Sequence, residues 1–147
     1  MAYPRVQAVE MGLRLPRGAT ALAQTGVKSL YTVVGGIIRL RTIRGMVTTV
    51  IQTQTNNAKL QFKATGQTAV DLCATADITA LAVGQLVGIT GTAATALQKG
   101  WAIVSQSTAW DVPPGTIDLN CDASSTGAIR WVMNWEPVDP GAYVQLA

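Results

Sequence analysis

Few side chains in this sequence are suited to chemistry, and their spacing decides what they could do. Asp118-x-Asn120-x-Asp122 places three oxygen-bearing residues at alternate positions, as the opening of a calcium loop does. The sixth position is Ala123 where such a loop needs Gly, and the twelfth is Ile129 where it needs Glu, so an EF-hand is excluded. The plainer expectation is an outward strand face running into the turn Ala123-Ser124-Ser125-Thr126-Gly127. Asp111 with Asp118 could do acid and base work in a glycosidase only if folding sets them about 5 to 10 Å apart. Gly84-x-x-x-Gly88-x-x-Gly91 lacks both the spacing of a dinucleotide loop and the Lys of a phosphate loop, and reads as strand bends and turns. Cys73 and Cys121 are the only cysteines and there is no His. That rules out a disulfide framework and a zinc site, and predicts two buried free thiols. Without His the usual general base at neutral pH is missing, along with Ser-His-Asp and Cys-His arrangements. The expectation is a chain that is not an enzyme and takes no cofactor or metal.

Charge is divided unevenly along the sequence. Residues 1–63 hold Arg5, Arg14, Arg17, Lys28, Arg39, Arg41, Arg44, Lys59 and Lys63 against Glu10, nine minus one, or +8. Residues 64–147 hold two bases and seven acids, or −5, so the whole chain is +3. Arg39 and Arg41 share a strand face and Arg44 lies near that strand's end, which makes a local positive patch. Nucleic-acid binding needs exposed aromatics beside such a patch. The aromatics lie elsewhere in the sequence, and Trp131 and Trp135 alternate as core residues do. The patch therefore predicts contact with an acidic surface, on a partner or on the acidic half of a neighbouring copy. Arg14, Arg17, Arg39, Arg41 and Arg44 are the candidate contact residues. Trp101 and Trp110 could stack on a sugar, although core or interface anchoring is the commoner use of Trp.

These residues must be positioned by short strands. A chain of 147 residues buries about two-thirds of its unfolded surface, enough for one domain with a core. Only 13% of it is charged, against about 25% in a typical soluble domain, so much of the surface is neutral Thr, Ser, Gln and Asn. The opening ten residues are interrupted by Pro4, Arg5 and Glu10 and lack the apolar core of a secretory signal. No window is apolar enough to cross a membrane as a helix. A soluble chain made in a cytoplasm, without membrane contact, is expected.

Residues 1–26 carry Tyr3-Pro4 and Leu15-Pro16-Arg17-Gly18 without sustained periodicity, predicting an extended N-terminal arm with at most one short strand. Residues 27–147 predict the β-sandwich domain. Its runs begin with Leu30–Val34, the turn Gly35-Gly36, then Ile37–Arg44 ended by Gly45. Met46–Thr55 follows, and Asn56-Asn57 suggests a tight hairpin into Ala58–Ala64. After a run at Val70–Cys73, Ala74–Val83 could hold a short helix from Asp77 or a loop with one turn. Gln85–Thr90, Trp101–Gln106 and Thr116–Cys121 read as strands, the last with Ile117, Leu119 and Cys121 inward. Ile129–Glu136 alternates most cleanly, and Tyr143–Leu146 closes the chain. Nine or so strands without a long helix predict an all-β sandwich, jelly-roll-like or related, of unspecified topology.

Five segments carry a family resemblance: Leu30-Tyr31-Thr32-Val33-Val34-Gly35-Gly36, Asn56-Asn57-Ala58-Lys59-Leu60, Val70-Asp71-Leu72-Cys73-Ala74, Pro114-Gly115-Thr116-Ile117-Asp118-Leu119 and Trp135-Glu136-Pro137-Val138-Asp139-Pro140-Gly141-Ala142. Over roughly residues 19–147 the chain resembles the small all-β virion proteins of tailed bacteriophages that decorate or cement the capsid. The resemblance implies a homo-oligomer, a trimer by preference, bound to the major capsid protein on the virion exterior, with no small-molecule substrate. It carries over scaffold motifs and no site residues. A tail- or fibre-associated module and a carbohydrate-binding sandwich are the alternatives.

Overall fold

A computed structural model describes residues 12–147, and every regular element among them is a strand. In chain order these are β1 (Leu13–Ala21), β2 (Gln24–Val34), β3 (Ile38–Thr49), β4 (Asn57–Ala64), β5 (Val70–Asp71), β6 (Ala76–Asp77), β7 (Leu86–Gly88), β8 (Gln98–Gly100), β9 (Trp110–Val112), β10 (Gly115–Ser124), β11 (Ala128–Pro137) and β12 (Tyr143–Leu146). Alternation is the cause. In β11, Ile129, Trp131, Met133 and Trp135 are buried, whereas Arg130 is exposed and Val132, Asn134 and Glu136 lie half-buried on the other face. Each such buried side chain contributes roughly 1.5–3 kcal/mol over leaving it in water.

The strands form two antiparallel sheets. The first runs β1-β11-β3-β7-β8, with β9 also on β3; the second runs β12-β2-β10-β4-β5, with β6 also on β4. The pairing is nested: β1 pairs β11, β2 pairs β10, β3 pairs β7 and β9, and β4 pairs β5 and β6. The chain thus folds as one long hairpin whose successive strands step between the two sheets. That arrangement is a jelly roll, and the protein is an all-β sandwich. Its core lies between the sheets, where Leu30, Leu40, Val47, Leu60, Val87, Ile117 and Trp131 meet.

Several local expectations are corrected. Leu13–Ala21 is a nine-residue edge strand of the first sheet, broken only by a bulge between Arg17 and Thr20, and residues 24–26 already belong to β2. Pro16 is tolerated in β1 because the strand lies at a sheet edge. The rest of the expected arm, residues 1–11, lies outside the described residues. Gly45 does not end its strand: β3 runs through it, because the inner surface there has no room for a side chain. A Cβ at Gly45 would lie 2.6 Å from Ile129 Cγ2 and 3.0 Å from Trp131 Cε3.

Asn56-Asn57 makes no hairpin, because β3 and β4 belong to different sheets. Asn56 is instead buried, its amide donating to Ser125 Oγ at 3.2 Å and accepting from the Ala123 N–H at 3.3 Å. Asp77 starts no helix; its carboxylate accepts the N–H groups of Thr79 and Asn56 in a turn after β6. Trp101–Gln106 is irregular. Strands β7 and β9 cover β3 only at Arg44–Met46 and Ile38–Leu40, and Gln106 fills the gap by accepting the Ile43 N–H at 3.2 Å.

One open side of the sandwich, between β1 and the β12-β2 edge, is closed by two polar side chains. Tyr31 donates its hydroxyl to the Leu15 carbonyl at 3.0 Å, and burial drives the phenol well above its ordinary pKa. Arg17 donates to the Leu30 carbonyl at 2.9 Å, the Ala147 carbonyl at 2.8 Å and Thr20 Oγ1 at 3.1 Å.

Candidate functional site

The strongest concentration of like charge lies on the outward face of the first sheet. Arg39, Arg41 and Arg44 project there from β3, Arg130 and Glu136 from β11, Arg14 from β1 and Asp111 from β9. Register then decides which charges meet. Arg39 stands opposite both Asp111 and Glu136 on its two neighbouring strands. Its Nε donates to Asp111 Oδ1 at 2.8 Å and its Nη2 to Oδ2 at 3.4 Å, a two-point grip. Arg41 donates from Nη2 to Glu136 Oε1 at 2.8 Å, and Arg39 Nη1 reaches the same oxygen at 3.5 Å. The hydrogen bond from Arg39 holds the Asp111 carboxyl below the usual carboxylate range. Arg39 and Asp111 are exposed and Glu136 only partly buried, so solvent screens these pairs and they add little to stability. Their larger effect is to cancel the charge of two of the five candidate arginines.

The other three differ among themselves. Arg17 is tied to the chain's own carbonyls, and its side chain joins the edges of the two sheets. Arg44 is exposed, with one long bond to Thr42 Oγ1 at 3.4 Å, and Arg14 is exposed on the edge strand. Among the described residues neither Arg44 nor Arg14 has a carboxylate within 4.0 Å. The sequence reading missed Arg130, because it sits in the acidic half. Alternation along β11 points Arg130 outward, but its nearness to Arg44 depends on the β3–β11 register. Two hollows flank Arg44. One of about 310 Å³ is walled by Leu86, Ile89, Ile103 and Val104, and one of about 70 Å³ by Met46, Leu86 and Val132 beside Arg130.

The remaining candidates are dispersed. Trp110 stands opposite Leu40 on β3, whereas Trp101 lies against Gly84, whose N–H bonds to the Val47 carbonyl. Seven residues of strand separate those points, about 20 Å, so the two rings form no common platform. Trp101 is 68% exposed; Trp110 borders a separate apolar hollow of about 310 Å³ with Phe62, Val70, Leu72 and Val112. Asp111 and Asp118 face outward from opposite sheets, which pack about 10 Å apart, beyond the reach of a shared glycosidic bond.

Asp118, Asn120 and Asp122 do share one face of β10, yet their oxygens do not converge. Asp118 is buried, with Oδ1 unpartnered among the described residues, while Asn120 donates to Gln61 Oε1. Asp122 accepts the N–H and side-chain amide of Asn57 at 2.7 and 2.9 Å. No group of three or more potential metal ligands occurs among the described residues. Cys73 and Cys121 are free and buried, as expected. Burial raises both thiols, that of Cys121 to about 11. No described helix is long and apolar enough to cross a membrane. Comparison with protein-family models, with curated proteins and with solved structures returns no match to this chain.

Proposed function

We propose that this chain is a non-enzymatic structural protein of a tailed-phage virion, which decorates the capsid exterior and stabilises it by bridging capsomers of the major capsid protein. The observation that carries the reading is the surface: sparsely charged, yet exposing large apolar side chains such as Trp101, Val104, Val138, Tyr143 and Leu146. Interface cores are depleted of charged side chains, and a neutral surface with apolar side chains among small polar ones suits broad contact with a flat lattice. The resemblance of residues 19–147 to small capsid-cementing proteins points the same way. Binding only the assembled lattice would stabilise the shell by mass action. A homotrimer multiplies weak contacts into a strong one.

Light scattering on the isolated protein, followed by mixing with assembled heads that lack it and counting bound copies, tests the reading. A trimer that fills heads in hundreds of copies is expected. A monomer that leaves heads bare overturns the reading, and a few copies per particle would move the protein to the tail or fibre base. Removing residues 1–11 is the clean way to probe the N-terminal segment, because cutting further would destroy β1.

A further inference from the structure

We infer that the outward face of the first sheet docks an extended acidic segment of a partner protein, with Arg44 and Arg130 taking its carboxylates and the hollow beside Ile103 taking an apolar neighbour. The inference rests on the decoration reading in supposing a protein partner, and adds where it binds and by what chemistry.

Charge accounting comes first. Among the described residues the face carries Arg14, Arg39, Arg41, Arg44 and Arg130 against Asp111 and Glu136, five minus two, or +3. The ion pairs within the face use both carboxylates on Arg39 and Arg41. The surplus is therefore Arg14, Arg44 and Arg130.

Spacing comes next. Arg44 lies opposite Val132 and Arg130 opposite Met46, so the two arginines are diagonal neighbours, about 7–8 Å apart at the backbone. Along an extended chain, side chains on one face recur about every 6.6 Å. Two acidic residues separated by one position therefore match the arginine pair. The next residue on the same face falls beside the hollow walled by Leu86, Ile89, Ile103 and Val104. The motif that fits is acidic-x-acidic-x-apolar.

A second copy of the chain is a poorer occupant. Among the described residues, its acids outside this face are Asp71, Asp77, Asp118 and Asp122 of the second sheet, on the opposite side of the sandwich, and Asp139 of the turn after β11; Asp77 is held by Thr79 and Asn56, and Asp139 by the Ile37 N–H. Of these, Asp71 is paired with Lys59, Asp118 is buried and Asp122 is held by Asn57. Joining opposite sides of successive copies also repeats without closing, which gives filaments and not a discrete trimer.

The test uses two synthetic peptides, acetyl-Asp-Thr-Glu-Thr-Val-amide and the same peptide with Lys at both acidic positions. Nitrogen-15 NMR of the arginine Nε–H groups and of the Leu86–Gly88 amides reads binding. Saturable shifts at Arg44 and Arg130 are expected with the acidic peptide alone, weakened at least about tenfold in Arg44→Gln/Arg130→Gln and retained in Arg39→Gln. Equal response to the Lys peptide, no saturable shift at millimolar peptide, or undiminished binding by the folded double variant would overturn the inference. If that variant fills heads as the parent does, the docking face is wrong and decoration stands. If the parent takes the peptide but leaves heads bare, decoration is wrong and the docking face stands.

Discussion

Replacing Arg17 by Met keeps the aliphatic stem and removes the guanidinium that joins β1 to the opposite sheet. Three bonds are lost: to the Leu30 carbonyl at 2.9 Å, to the Ala147 carbonyl at 2.8 Å and to Thr20 Oγ1 at 3.1 Å. A charged hydrogen bond contributes about 1.5–3 kcal/mol when shielded, but the Ala147 contact is exposed and the other two only partly buried. The Leu30 carbonyl also keeps the Ala147 N–H at 3.2 Å, so no acceptor is orphaned. The expected loss is therefore about 2 kcal/mol in all. At about 2–4 °C per kcal/mol for a domain of this size, the melting temperature falls by about 4–8 °C. Arg17→Lys, able to reach one carbonyl at a time, should fall between. Calorimetry on the two variants and the parent measures this directly. An unchanged melt in Arg17→Met would refute the clamp. If capsid binding were then lost without any loss of stability, Arg17 would return to the partner-contact residues.

Three further outcomes follow from the same structure. Gly45→Ala forces a Cβ to within 2.6 Å of Ile129 Cγ2 and should cost about 1–3 kcal/mol by overpacking, read as an earlier urea midpoint; an unshifted midpoint would mean β3 yields more easily than its packing suggests. Cys73 and Cys121 should resist a thiol-reactive disulfide reagent at mildly alkaline pH in the native protein and both react in urea, because burial raises their pKa values; fast native labelling would contradict that burial. The Asp122 carboxyl, lowered chiefly by its bond to the Asn57 amide, and that of Asp77, lowered chiefly by Thr79, contribute stability above their unfolded pKa of about 3.9 and lose it as pH falls through their folded values. Thermal stability should therefore drop in acid below about pH 4, less steeply in Asp122→Asn, and an identical acid profile in that variant would remove Asp122 as a cause.

Periodicity carried most of the fold. The strands at Leu30–Val34, Ala58–Ala64, Thr116–Cys121 and Ile129–Glu136 are legible because alternate side chains meet different solvents, a property of each segment alone. What failed was decided between segments. Gly45 looks like a stop until Ile129 and Trp131 are seen to fill the space a side chain would need. Asn56-Asn57 looks like a hairpin until its flanking runs fall in different sheets. Leu13–Ala21 is hard to read because Pro16 and the bulge between Arg17 and Thr20 interrupt its alternation and its inward side chains are only half-buried, so only its pairing with β11 reveals it. The candidate site divided in the same way. That Arg39 and Arg41 share a face was readable, but that a bulge beside Arg41 turns Arg44 onto the same face, that Asp111 and Glu136 neutralise the first two and that Arg130 joins the third required the register.

The charge division along the sequence takes on a different meaning once the strands are nested. In a chain folded as one long hairpin, the first half is laid against the second in both sheets, so a basic half and an acidic half cannot present two separate surfaces. They interleave. All the ion pairs among the described residues join a base from residues 1–63 to an acid from residues 64–147: Arg39 to Asp111 and Glu136, Arg41 to Glu136, and Lys59 to Asp71. Asymmetry between halves thus favours correct cross-pairing over pairing within a half, where like charges would face one another. A partner feels only the remainder. That remainder is concentrated where β1, β11 and β3 run side by side with three arginines and, among the described residues, no spare carboxylate, so the surface available for recognition is set by strand order and not by position in the chain.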